Sequence, residues 1–302
     1  MPLIVCALLG FAQDARAQGL APELQVDLAI AALERAILAE DNGEILDRID
    51  VLRELAPVLA GGELLYFEAA ALAEQGEIDE AEHALTRFLS EVGQQSASYD
   101  EALSLMLDLS DLRAELATLD RGVAAHERHD YDEARRLLAP LSAKGHAEAQ
   151  YRIGMMDYYG LGGSAGVRAA ERLYRLAAEQ GHARAQASLA ALYYNQEDGL
   201  LDDDQVAHWY RLSAEQGDPM GQMGMGYAYF EGLGVPQSYE QAVQWYRRAA
   251  ENGDVQGQLA MGSMYEEGLG VAIDLAEARR WYRMAADQGT YFAEEALVRL
   301  GQ

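Results

Sequence analysis

Gly145, Gly181, Gly217, Gly253 and Gly289 stand 36 residues apart without a slip. Repetition at a fixed period of this size means one supersecondary unit stacked on copies of itself. Aligned on these glycines, Tyr174, Tyr210, Tyr246 and Tyr282 fall in register, preceded by Leu173, Trp209, Trp245 and Trp281. Gln150, Gln186, Gln222 and Gln258 recur five residues after each of the first four glycines.

Each unit reads as two helices. In the second half of one unit, Ala170, Leu173, Tyr174, Ala177 and Ala178 keep the spacing of a single apolar stripe. The glycine that follows is expected at the C′ position in the left-handed conformation, where a side chain costs about 1 kcal/mol. The first half runs from about Ala147 to Tyr159, with Ala149, Gln150, Ile153, Gly154 and Asp157 facing inward. Later units put Tyr193, Tyr229 and Tyr265 where Asp157 stands. Gly154, Ala190, Gly226 and Gly262 are small at one helical position, which points to close helix–helix approach, because an interior glycine otherwise costs about 1 kcal/mol. The halves are joined by "GLGGSAGV", "EGLGVPQS" and "EGLGVAID", loops suited to antiparallel helices. Arg175, Arg211, Arg247 and Arg283 recur in phase, as a repeated structural hydrogen bond would require.

The pattern "AQ..LG..Y..G.GV" followed by "A..WYR.AAEQG" resembles the Sel1-like repeat family, relatives of tetratricopeptide repeats. Units at 146–181, 182–217, 218–253 and 254–289 match, with a half unit on each flank. The second unit departs from the pattern: its loop, "NQEDGLLDDDQ", is acidic and lacks the Gly-x-Gly-Val turn. Upstream, Leu64 to Leu89 resembles one tetratricopeptide unit turning at Gly76, preceded by two helices parted near Asn42 and Gly43. The expected fold is all-α, an alpha-alpha superhelix. The expected division is a signal peptide at 1–17, an acidic helical segment at 18–130 and the repeat array at 131–302.

Charge narrows the function. The chain of 302 residues carries 23 basic and 50 acidic side chains, net −27. Residues 18–130 hold 25 acidic and 7 basic residues, net −18, and 131–302 hold 24 and 15, net −9. Nucleic acid and anionic membranes are not expected partners, since both need clustered Lys and Arg. The apolar run Pro2 to Ala12, followed by Ala15, Arg16 and Ala17, reads as a secretory signal cut after Ala17, and gives a periplasmic or secreted protein. The competing reading is a buried N-terminal helix, because no Lys or Arg precedes the run. Cys6, the only cysteine, lies inside it, so the mature chain would have no disulfide or thiol chemistry.

No Gly-x-Ser-x-Gly elbow or phosphate-binding Gly-x-x-x-x-Gly-Lys occurs, and the sole lysine, Lys144, has Leu141 where a Ser-x-x-Lys site needs serine. His126 and His129 are three apart, able to share a helix face as zinc ligands or to sit solvated at a helix end. The acidic loop of Glu197, Asp198, Asp202, Asp203 and Asp204 offers oxygens for calcium, or a helix cap with solvated neighbours. Met220 and Met223 share a face and suit packing, a contact surface or a soft metal. His146 and His182 occupy the helix-start position of Asp218 and Asp254. No cofactor and no metal site is assigned.

Positions that vary between units are where binding specificity can be written. They are Glu148, Arg152, Met155 and Tyr159, and their equivalents in each later unit. Arg152, Tyr159, Arg184 and Tyr227, with Tyr194 and Phe230 at the edge, carry the aromatic and Arg character of interface anchors. The expected function is a non-catalytic scaffold that binds a protein or peptide. The resemblance implies adaptor roles in bacterial envelope assembly or signalling. A ligand or metal sensor is the alternative, and a hydrolase of cell-wall or antibiotic material a further one.

Overall fold

The computed structural model describes residues 22–56, 62–92, 96–163, 166–194 and 203–301. The signal-peptide expectation and Glu197, Asp198 and Asp202 lie outside them. Every regular element among the described residues is an α-helix, as the repeat predicted. The chain divides into two compact units between Ala117 and Thr118.

The first unit holds α1 (Pro22–Leu38), α2 (Asn42–Leu55), α3 (Glu63–Glu74), α4 (Ile78–Glu91) and the first part of α5 (Tyr99–Glu127). Helices α1 and α2 close over Leu33, Ile45, Ile49 and Leu52, and α3 and α4 over Leu65, Leu85 and Phe88. Asp41 caps α2 by accepting from the Glu44 amide at 3.0 Å, so the break falls just before Asn42. Gly76 makes the α3–α4 turn at φ 82°, as the tetratricopeptide resemblance implied.

Helix α5, 29 residues long, serves both cores. Ala102 and Leu109 bury in the first unit, and Ala125 in the second. The division between units therefore falls inside a helix.

The second unit continues with α6 (Tyr131–Lys144), α7 (Ala147–Tyr159), α8 (Val167–Glu179), α9 (Ala183–Tyr194) and α10 (Asp203–Glu215). It ends with α11 (Pro219–Glu231), α12 (Tyr239–Glu251), α13 (Val255–Glu267), α14 (Leu275–Ala286) and α15 (Tyr291–Arg299). Sequential helices pack against each other, which makes this unit a solenoid of hairpins. The five glycines at the 36-residue period have φ between 83° and 103°, the left-handed conformation expected of C′ residues. Asp218 and Asp254 cap α11 and α13 by accepting from the amides of Gly221 and Gly257.

The inward register holds residue for residue: Ala149, Gln150, Ile153, Gly154 and Asp157 are buried. The small position receives a tyrosine ring from the second helix of the same hairpin. A Cβ on Gly154, Gly226 or Gly262 would lie 3.0, 2.3 or 2.5 Å from the ring of Tyr174, Tyr246 or Tyr282. The second hairpin carries Ala190 there. Its ring, Tyr210, is instead so close to Gly224 on the next helix that a Cβ would stand 2.1 Å away.

Candidate partner-binding face

The residues that recur in every unit are consumed by stacking. Gln180, Gln216 and Gln288 donate side-chain N–H to the Oε1 of Gln150, Gln186 and Gln258 at 2.8, 2.8 and 2.9 Å. Asn252 does the same to Gln222 at 3.1 Å. Gln186 donates in turn to the Ala178 carbonyl at 3.1 Å. At Gln150, Gln186 and Gln258 a buried amide thus ties the first helix to the second helix before and after it. Gln180, Gln216 and Gln288 were not singled out in the sequence, although their recurrence one residue before the glycine was a visible signal.

The in-phase arginines make the expected bond in two hairpins, where Arg175 and Arg247 donate to the hydroxyls of Tyr193 and Tyr265 at 2.7 and 2.9 Å. In the first hairpin Asp157, 4% exposed, takes the tyrosine's place. It accepts from Arg135 Nη2 at 2.8 Å, and Arg135 also donates to the Leu161 carbonyl at 3.0 Å.

What varies lies on the first helices, and the structure separates the six candidate residues there. Tyr159 is 65% exposed, its ring edge-on to Tyr158. Arg184 is 65% exposed along its side chain, its Nε 3.6 Å from the carboxylate of Asp218. Tyr194 and Tyr227 face each other, hydroxyl to hydroxyl at 2.7 Å. That hydrogen bond, with some burial, pushes the Tyr227 phenol up to about 12. Phe230 is half-buried against the core of its own hairpin, beside the Tyr239 ring.

Arg152 is mostly buried and engaged within the chain. Its Nε donates to Glu148 at 2.5 Å, and the other Glu148 oxygen lies 2.7 Å from His182 Nε2. His182 hydrogen bonding, followed by that of Arg152, holds the Glu148 carboxyl at about 2 against the cost of burial. His182 also starts α9, as expected: its Nδ1 accepts from the Ala185 amide at 3.1 Å, and its ring stacks on Tyr151.

Two adjoining clefts open on this face. One of about 190 Å³ is lined by Tyr158, Tyr159, Ser188, Ala191, Leu192 and Met220. The other, about 400 Å³, is lined by Tyr151, Arg184, Pro219, Met220 and the capping residues Asp218 and Asp254. Met220 belongs to both, while Met223 turns into the core, so the two methionines part. Tyr159 and Arg184 are therefore brought to one continuous surface, with Tyr158 and Leu192 as additions that the sequence reading had not named.

The ligand candidates have structural places. His126 and His129 do not share a helix face, because α5 ends at Glu127 and His129 lies in the following turn at φ 63°. Asp203 and Asp204 form the first turn of α10. Among the described residues no group of three or more His, Cys, Asp or Glu side chains is placed to hold a metal ion. None of the described helices is long and apolar enough to cross a membrane.

The model of the Sel1 repeat matches residues 147–182, 183–218, 219–254 and 255–290. The crystal structure of a Sel1 repeat protein from Oxalobacter formigenes is 35% identical, with 58% of this chain and 72% of that chain covered and a TM-score of 0.50. The chain is also similar to c5321, a protective antigen present in uropathogenic Escherichia coli strains displaying an SLR fold. That match is 23% identical over 96% of this chain and 74% of the other, at a TM-score of 0.43. A Sel1 repeat protein from Klebsiella pneumoniae is 17% identical over 62% of this chain and 93% of the other, at 0.44. No curated protein matches. With four in-phase hairpins, the glycine–tyrosine packing that defines them, and 35% identity across 72% of a solved Sel1 protein, the chain belongs to the Sel1 repeat family.

Proposed function

We propose that this protein is a non-catalytic scaffold of the bacterial cell envelope, which holds a protein or peptide segment against the first helices of its repeat array. One observation carries the reading. The side chains common to all units are spent on stacking, whereas the variable ones, Tyr159, Arg184 and Met220 among them, line adjoining clefts on one face. Repeats of this family commonly serve protein–protein interaction. Exposed aromatic, Met and Arg side chains are the types that dominate binding energy at interfaces. The envelope location rests on the apolar run Pro2 to Ala12 and the Ala15-Arg16-Ala17 signal that follows it.

The test is in-cell crosslinking and affinity capture, comparing the wild type with a variant carrying Tyr159→Ala, Arg184→Ala and Met220→Ala. These residues are exposed, so the variant is expected to keep its helical content and lose the captured protein. Capture unchanged by the triple substitution overturns this face as the site. Capture of no protein by either form counts against the scaffold reading itself.

A further inference from the structure

Arg152 joins three places in the second unit. It is bonded to Glu148 on its own helix, lies 3.7 Å from Glu127 at the end of α5, and its Nη1 stands 3.3 Å from Nδ1 of His126. A guanidinium can only donate, so Nδ1 of His126 accepts and the single proton of the neutral ring sits on Nε2. That Nε2 is buried without a hydrogen-bond partner. The ring packs edge-on against Tyr131 at 5.6 Å. The groups facing it are Glu127 and His129 from its own helix end and turn, Tyr131 from α6, and Glu148 and Arg152 from α7.

We propose that His126 is an acid-sensitive latch: a second proton, placed on Nδ1, points an N–H at the Arg152 guanidinium, breaks that contact and loosens α7 from the end of α5. The hairpins further along the array have no equivalent of this pair and stay closed.

The charges around the ring favour this outcome. Burial first, then Arg152, lower the proton affinity of His126, and these outweigh Glu127 and Glu148. For a histidine held neutral in the fold, stability is complete above the free value of about 6.5 and is lost as pH falls from there toward the native value. Glu148, held at about 2, keeps its charge throughout that interval, so the carboxylate side of the network does not change. His182 lies at the far end of the same network and behaves differently. Its Nε2 bonds Glu148 and its Nδ1 accepts from the Ala185 amide, so it takes no part in the His126–Arg152 contact.

Hydrogen exchange of the full chain at about pH 7.5 and pH 5.5, corrected for intrinsic exchange rates, tests the latch. Peptides from the last turns of α5 and from α7 are expected to lose about 10-fold in protection on acidification, and those from α11 to α14 little. His126→Gln supplies an oxygen that accepts from Arg152 at either pH and should abolish the change, whereas His182→Gln should retain it. An equal loss in His126→Gln, or a uniform loss across all hairpins, overturns the proposal. NMR titration of the wild-type ring gives a second reading that does not depend on a variant's folding. A His126 midpoint below about 6.5 is expected, and one at or above it overturns the latch.

Discussion

In the first unit α3 and α4 meet through Leu65, Leu85 and Phe88, all fully buried; in the second, α11 and α12 meet through Gly226 and the ring of Tyr246. Large aliphatic and aromatic side chains interlock in many ways, so a core built from them tolerates drift in spacing from one hairpin to the next. A glycine under a tyrosine ring tolerates almost none, because the backbone itself is the packing surface. The first unit accordingly carries no sequence period, and the second keeps 36 residues through five glycines. The glutamine ladder reinforces the difference, since a buried amide such as Gln186 must find partners both in its own hairpin and in the one before.

Perturbing each kind of packing separates the two. The largest effect is expected from Phe88→Ala, a loss of about 3–5 kcal/mol through transfer and cavity terms. Hydrogen exchange should place it in α3 and α4 and leave α11 to α14 protected. A loss spread evenly over both units would mean that the two cores do not fold independently.

Gly226→Ala comes next, at about 1–3 kcal/mol, because the new Cβ overlaps the Tyr246 ring. The molecule already contains its remedy. Ala190 is accommodated where Tyr210 lies over Gly224, so Ala260→Gly should restore much of what Gly226→Ala loses. A thermal-denaturation double-mutant cycle with no favourable coupling would show that the second hairpin solves the problem by other means.

Gln186→Ala is expected to cost about 1–2 kcal/mol, since it removes one hydrogen bond from the Gln216 amide and one from the Ala178 carbonyl. Exchange protection should fall in both α8 and α10, the second helices before and after Gln186; a fall in one alone would show that the ladder does not couple neighbours. The effect of Glu148→Gln is read in its pH dependence. The carboxyl of Glu148 is depressed from 4.5 to about 2, so its contribution to stability is present above the upper value and fades as pH falls through the lower. Denaturant midpoints of the variant should be flatter than wild type across that interval, and parallel curves would count against the network around Arg152.

Much of the second unit was legible because its constraints are local and recur. Spacing alone located the helix ends, the capping glycines, the inward register and the small position, and charge with motif content turned attention from catalysis and nucleic acid to protein binding. Residue type also singled out Tyr159 and Arg184. It could not tell that Arg152, with the same chemistry and on the same helical face, is spent on Glu148 and His126. Whether a side chain is free depends on what the neighbouring helices bring to it.

The sequence by itself determined the hairpin, its period and its inward register, because those follow from backbone conformations that glycine permits and from apolar stripes that must be covered. Tertiary structure alone decided that α5 runs unbroken between two cores, that Asp157 is answered by Arg135, that Ala190 is offset by Gly224, and which variable residues reach an open cleft. Each of these joins residues from different helices. Helical periodicity fixes the direction in which a side chain leaves its own axis, and only packing fixes what it meets there.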